Sequence, residues 1–268
     1  MYKAFTVLVS LLMFTSCDMF EPHPYDAKIT GERDVNNKNI SAIESQTRGK
    51  KEFRFAMISD TQRAYDETVD AVDAINARGD IDFVINGGDI SDFGVTKEFL
   101  MMRDIYSEFD MPCVSIIGNH DHLGTGLDTY RAVFGETNFA FTAGNVRFIC
   151  LNTNALEYDY TEPVPDFDFI DSELANLSPE IEKTVFAMHA PPFDMVFNNN
   201  VNTVFEQCIR RFPNVQFCLY GHGHVLRVDD LFGDGLLYYE CPNIAKRAYL
   251  VFTIHADSND YDYEAVEF

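Results

Sequence analysis

Positive charge is scarce in this sequence. Against 43 Asp and Glu there are 20 Lys and Arg in 268 residues, a formal net charge of -23 at pH 7. A surface so acidic repels polyanions, so nucleic acid or heparin-like partners are not expected through a general basic face. Long apolar runs are scarce as well: past the N-terminal stretch, no segment is long and apolar enough to cross a bilayer. Cysteine occurs six times without a close-spaced pair, which argues against a metal knuckle or a redox motif. Internal repeats and low-complexity tracts are missing too. What is present, 46% hydrophobic residues over this length, can bury a sizeable core, and one large domain is expected.

Near the N-terminus Lys3 precedes an apolar stretch from Ala4 to Phe14, about eleven residues, which suits a signal-peptide core. Thr15-Ser16-Cys17 follows. The pattern resembles a bacterial lipoprotein signal, which implies lipid on Cys17, with a plain cleaved secretory signal as the alternative. The expected organisation is a signal over 1–17, a polar tether over 18–50 in which Ile40 and Ile43 are candidates to dock on the domain, and a domain over 51–268. The expected location is the bacterial cell envelope, with the protein held to a membrane by lipid on its periplasmic or surface face. The other cysteines, Cys113, Cys150, Cys208, Cys218 and Cys241, are odd in number and read best as buried free thiols.

From Phe53 the sequence alternates between two textures. Strands are expected at 53–58, 82–85 and 113–117, separated by helices over 68–78 and 96–109 whose apolar residues recur at helical spacing. Such alternation argues for parallel strands with right-handed crossovers. The second half is denser in strands: a hairpin around Ala143-Gly144-Asn145, then 184–188, 215–220, 225–228, 236–240 and 249–255, with helices near 167–177 and 202–212. This α/β order fits two mixed β-sheets packed face to face with helices outside, a four-layer α/β/β/α sandwich.

Four segments end strands in metal-type ligands: Ser59-Asp60-Thr61-Gln62, Gly88-Asp89-Ile90-Ser91-Asp92, Gly118-Asn119-His120-Asp121 and Gly221-His222-Gly223-His224. The first three ligands lie about thirty residues apart, one crossover unit each, so parallel strands deliver them to one sheet edge. With His189, which ends another strand, Asp60, Asp89, Asn119, His222 and His224 suit two divalent ions. Asp89 can bridge both, because a carboxylate has two oxygens to share. The mixed donors leave Mn, Zn, Fe and Mg open. Two such ions place about +4 at the site, so a phosphate substrate is compatible with the acidic surface.

These segments, with Met188-His189-Ala190-Pro191-Pro192 between the third and the last, resemble the five ordered blocks of the calcineurin-like metallophosphoesterase superfamily. The resemblance runs from Phe53 to about Phe252. It implies a phosphoesterase in which hydroxide on a dinuclear centre attacks phosphorus directly. It further implies a bridging Asp89, one metal on Asp60 and His224, and another on Asn119, His189 and His222. His120 then protonates the leaving group or binds phosphate, oriented by Asp92. The pattern departs at Gln62, where the superfamily usually has histidine; a glutamine carbonyl is a weaker, harder donor, which favours ions such as Mn or Mg or a looser first site. Phe93, after Asp92, stands where the Ser/Thr protein phosphatases have arginine, and no tyrosine marks a purple acid phosphatase.

Arg63 is a candidate phosphate contact and His122 a candidate substrate contact. Asp92 and Asp121 also admit a turn or capping role. The expected substrate is a phosphorylated small molecule or lipid, monoester or diester. The alternative is an envelope lipoprotein, weakened in catalysis through Gln62, that binds a phosphorylated ligand on the same fold. A sulfatase or a nucleotide-sugar hydrolase on this site is the third reading.

Overall fold

Phe53, Phe55 and Met57 alternate with Ala56 and Ile58 along β1 (Glu52–Ile58), and the alternation assigns each set to a different layer. The protein is seen here in a computed structural model that describes residues 23, 25 and 28–268, so the signal over 1–17 and the lipidation expected at Cys17 lie outside the described residues. In the first sheet, β1 pairs in parallel with β2 (Phe83–Asn86), which pairs in parallel with β3 (Cys113–Ser115). On its other side lie β10 (Ala248–His255) and β11 (Tyr261–Glu267), both antiparallel, giving the order β11-β10-β1-β2-β3.

The second sheet contains β4 (Phe139–Ala143), β5 (Val146–Leu151), β6 (Lys183–Met188), β7 (Val215–Tyr220), β8 (Arg227–Asp229) and β9 (Tyr238–Glu240). Its order is β4-β5-β6-β7-β9-β8, with β5, β6, β7 and β9 mutually parallel and both outer pairs antiparallel. Between the sheets, Phe55 meets Phe148 edge-on at 5.3 Å and Phe83 meets Phe141 edge-on at 5.7 Å. Each such ring, fully buried, contributes about 1.5–3 kcal/mol.

Outside the first sheet lie α2 (Tyr65–Arg78), α3 (Thr96–Tyr106) and α4 (Gly126–Val133), which bury Val72, Ile75, Phe99, Met102 and Val133 against Ala56, Ile58 and Val84. Outside the second, α5 (Phe167–Ala175) and α6 (Asn202–Ile209) bury Ile170, Phe205 and Ile209 against Phe186 and Met188. The layers are therefore α/β/β/α, as the sequence pattern implied. The free cysteines Cys113, Cys150, Cys218 and Cys241 are buried, and burial pushes their thiols up in pKa; Cys208 is half-buried.

The polar tether expected over 18–50 is corrected over part of its length. Residues Val35–Thr47 form a helix, α1, that docks on the domain and places Ile43 in the core between the sheets. The docking is polar at its start. Asn36 donates from Nδ2 to Ser115 O and accepts Ser115 N–H at Oδ1, both at 2.9 Å. Asn39 Nδ2 donates to Cys113 O at 2.6 Å. Two asparagine side chains thus occupy the Ser115 N–H and Cys113 O of β3, an edge strand, and share Ser115 O with the Tyr130 hydroxyl.

Candidate metal centre

Asp60 follows β1, Asp89 follows β2, Asn119 follows β3, His189 follows β6 and His222 follows β7, so both sheets contribute ligand loops from the ends of mutually parallel strands. Glycines allow these loops to touch. A Cβ on Gly118 would stand 2.1 Å from Asp89 Oδ1, and one on Gly88, at φ +107, would stand 2.6 Å from His189 Nδ1. The ligands themselves are bent into the left-handed region: φ is 51 at Asp60, 54 at Asp89, 70 at His222 and 62 at His224.

Two groups of ligand atoms result. Asp89, His189 and His222 form one, and Asp60, Asp89 and His224 the other, with the atoms of each group within 4.8 Å of one another. Asp89 belongs to both. His189 Nε2 lies 3.3 Å from Asp89 Oδ1 and 3.1 Å from Asn119 Oδ1, while its Nδ1 donates to Gly87 O at 2.8 Å. That last bond leaves Nε2 free to act as a ligand. His222 Nδ1 lies 3.0 Å from Asn119 Oδ1, and His224 Nε2 lies 3.1 Å from Asp60 Oδ1.

The donor set fits divalent ions on a direct structural ground. Gln62 Oε1 is buried without a hydrogen-bond partner, at a cost of about 1–3 kcal/mol unless a cation satisfies it, and the buried Asp60 Oδ1 has only the His224 imidazole beside it. Gln62 is thereby brought to the site, its Nε2 3.3 Å from Asp89 Oδ2. Burial works against charge on Asp89, yet His189 and His120 beside it hold its carboxyl below the usual carboxylate range. Burial likewise opposes charge on His189, but Asp89 and Asp60 raise it to about 10. The hydrogen bond to Asp60 raises His224. Without an ion these acids favour the protonated form of His189, so cation binding there competes with a proton.

His120 donates its backbone N–H to Asp89 Oδ1 at 3.0 Å, and its Nδ1 contacts the main-chain carbonyl of Asp92 at 2.9 Å. Asp92 orients His120 mainly through this carbonyl, its carboxylate lying farther off at 3.6 Å. The carboxylate instead pairs with Arg63, whose guanidinium also lies over the Phe93 ring at 5.4 Å. Arg63 is therefore held at the rim of the site. His122 has no nitrogen left for substrate: Nδ1 contacts Gly118 O at 2.9 Å and Nε2 contacts Tyr158 Oη at 3.2 Å. Burial lowers its pKa to about 4.

Two carboxylates have roles the sequence pattern did not show. Asp121, fully buried, accepts the N–H groups of Ile90 and Ser91 at Oδ1 and of Gly118 at Oδ2, over 2.8–2.9 Å, which ties the second ligand loop to the third. Asp194 Oδ1 lies 3.2 Å from His222 Nε2, on the side opposite the ligand nitrogen. Val196 N–H, donating to Asp194 Oδ1 at 2.8 Å, fixes that carboxylate in place. A single aspartate five residues past His189, in a turn, carries no signal of its own in sequence.

A four-layer sandwich with carboxylate, amide and imidazole donors gathered at one edge has the make-up of a metal-dependent phosphoesterase. The chain belongs to the calcineurin-like phosphoesterase family, whose model matches residues 53–226. No curated protein matches the sequence. Among solved structures it is similar to GAP50, the anchor in the inner membrane complex of Plasmodium, at 11% identity and TM-score 0.58, covering 81% of this chain and 85% of that one. It is also similar to the calcineurin-like phosphoesterase YfkN from Bacillus subtilis, at 10% identity and TM-score 0.52 over 81% and 90%. A third likeness is to the purple acid phosphatase PPD1 from yellow lupin, at 12% identity and TM-score 0.54 over 82% and 55%. At these identities the likeness is one of fold.

Proposed function

We propose that the protein hydrolyses a phosphomonoester or phosphodiester at a dinuclear metal centre, its two divalent ions drawn from Mn, Zn, Fe or Mg. The observation that supports this best is the meeting of two ligand groups at Asp89, with the orphaned oxygen of Gln62 beside them. Asp60, Gln62 and His224 would hold one ion, and Asn119, His189 and His222 the other. Bound ions supply a polarised water and offset charge on the phosphoryl oxygens. The chain does the rest. His120, its Nδ1–H held by Asp92 O, presents Nε2 to the leaving-group oxygen and as the imidazolium can give it a proton, which leaves the neutral ring with its Nδ1–H in place. Arg63 pairs with a phosphate oxygen. The substrate is a phosphorylated small molecule or lipid, and an envelope location with lipid on Cys17 belongs to the same proposal. Release of the parent and of Cys17→Ala as equally soluble, equally processed protein would remove the anchor.

The test is metal analysis with turnover. Protein loaded with Mn or Zn should hold about two ions per chain, hydrolyse aryl phosphate or bis-aryl phosphate, and lose that activity in Asn119→Ala. Failure on both esters, with Asn119→Ala no different from the parent, overturns the reading. The alternative, a ligand-binding protein weakened in catalysis, draws on Gln62 standing where imidazole is usual. It gains if the chain holds one ion or none and binds aryl phosphate without turning it over.

A further inference from the structure

Four of the ligand loops share a feature that metal binding does not require. Phe93 lies four residues past Asp89, Leu123 four past Asn119, Phe193 four past His189 and Leu226 four past His222. All four side chains are exposed, by 52%, 39%, 55% and 51% respectively. Met195 and Val225, on the same loops, are exposed as well. Large apolar residues scattered singly over a surface need no explanation, but here one recurs at the same step beyond the ligand in loop after loop.

Their loops place them on both flanks of the centre, Phe93 and Leu123 after strands of the first sheet and Phe193 and Leu226 after strands of the second. On one flank, the backbone after Phe93 abuts Leu123, so that a Cβ on Gly94 would fall 1.7 Å from Leu123 O. The Phe93 ring carries the Arg63 guanidinium. On the other, Phe193 packs against Phe232 with ring centroids 5.0 Å apart, and the neighbouring Asp194 reaches His222. The sequence pattern had placed Val225 and Leu226 in a strand over 225–228; that strand begins only at Arg227, which leaves both apolar side chains on the loop. A phosphoester bound at the ligand cluster would have these loops on both sides of it, so its ester group is the occupant they are placed to meet.

We propose that this apolar collar selects phosphoesters whose esterified alcohol is large and apolar, and that it contacts that group of a single substrate molecule. The inference rests on the phosphoesterase reading above. A membrane surface is the poorer occupant, because a chain of net charge -23 is repelled by anionic lipid.

The experiment is a chain-length series. Ethyl, butyl, hexyl and octyl phosphates, as monoesters and as methyl diesters, are kept below their micellar concentrations and given to the Mn-loaded protein. The expected result is a kcat/KM that rises roughly threefold per methylene over the first few carbons, chiefly through KM. The double variant Phe193→Asn with Leu226→Ser should flatten that slope. Val204→Ser, an equally exposed valine on α6, should not. Asn suits position 193, where φ is 73. Binding of ethylphosphonate and octylphosphonate, measured calorimetrically, should show the same preference without turnover. A flat series in the parent overturns the proposal, as does a slope unchanged in the double variant or a gain seen only with phospholipid vesicles. If no ester of any length is hydrolysed, the phosphoesterase reading fails, while the phosphonate comparison still decides whether the collar binds an apolar group.

Discussion

On the dinuclear reading proposed above, replacing Asp194 with alanine should weaken one ion and leave the other alone. The carboxylate touches no ligand atom directly; it holds His222 through Nε2 at 3.2 Å while Nδ1 faces Asn119 Oδ1 at 3.0 Å. A carboxylate behind a ligating imidazole fixes its tautomer and ring orientation and makes the ligand nitrogen more basic. Hydrogen bonds to charged groups contribute about 1.5–3 kcal/mol, and each 1.36 kcal/mol is a factor of ten, so the loss lies between about tenfold and about a hundredfold in affinity. The lower part of that range is expected, because Asp194 is half-exposed. Asp194→Asn keeps an acceptor and loses the charge, so it should fall between parent and alanine. Titration calorimetry with Mn or Zn resolves the two sites; the ion on Asp60 and His224 serves as internal reference, and thermal melting of the ion-free protein checks the fold. The reasoning is refuted if Asp194→Ala binds both ions as the parent does, or loses both equally with an unchanged melting temperature.

Further outcomes follow from other contacts. Asp121→Asn sets an amide N–H₂ against the Gly118 N–H and should cost about 2–3 kcal/mol, read from urea denaturation of ion-free protein; a change within 0.5 kcal/mol, roughly the noise of surface substitutions, contradicts the tie between the loops. His122, lowered from 6.5 to about 4 by burial, must fold neutral. Its contribution is complete above pH 6.5 and lost as pH falls from there to 4, about 3 kcal/mol in all, so His122→Gln should show a shallower decline over that window in denaturation midpoints. On α1, Ile43→Ala should cost about 2–5 kcal/mol and Asn36→Ala about 1–3 kcal/mol by leaving the Ser115 N–H unpaired; a midpoint equal to the parent's would return this segment to a loose tether.

What the sequence disclosed and what it hid separate along physical lines. The inner strands were legible because burial on both faces leaves runs such as Phe53–Ile58 and Val215–Tyr220, and ligands stand out where such runs end. Three elements were missed. Helix α1 anchors itself through asparagine side chains on a strand edge, which no apolar periodicity records. Helix α4 starts at a glycine and is only eight residues long. Strand β11 is largely exposed along its length and is set by its register with β10, from Ala248 opposite Glu267 to Ile254 opposite Tyr261. At the site, the metal-type residues identified from the motifs do converge, because they share one chemistry and one position at a strand end. Asp194, the carbonyl role of Asp92 and the enclosure of His122 depend on which way loops fold back, and that is decided by tertiary contacts.

The left-handed backbone at Asp60, Asp89, His222 and His224 bears on how this protein can be altered. A screen that rewards heat resistance alone finds its easiest gains where glycine would relax a strained residue, and here four such positions are candidate metal ligands. Blind stabilisation would therefore tend toward a sturdier chain with an empty edge. Any campaign to toughen the protein has to select with the ions present, so that their binding weighs against the relief of strain.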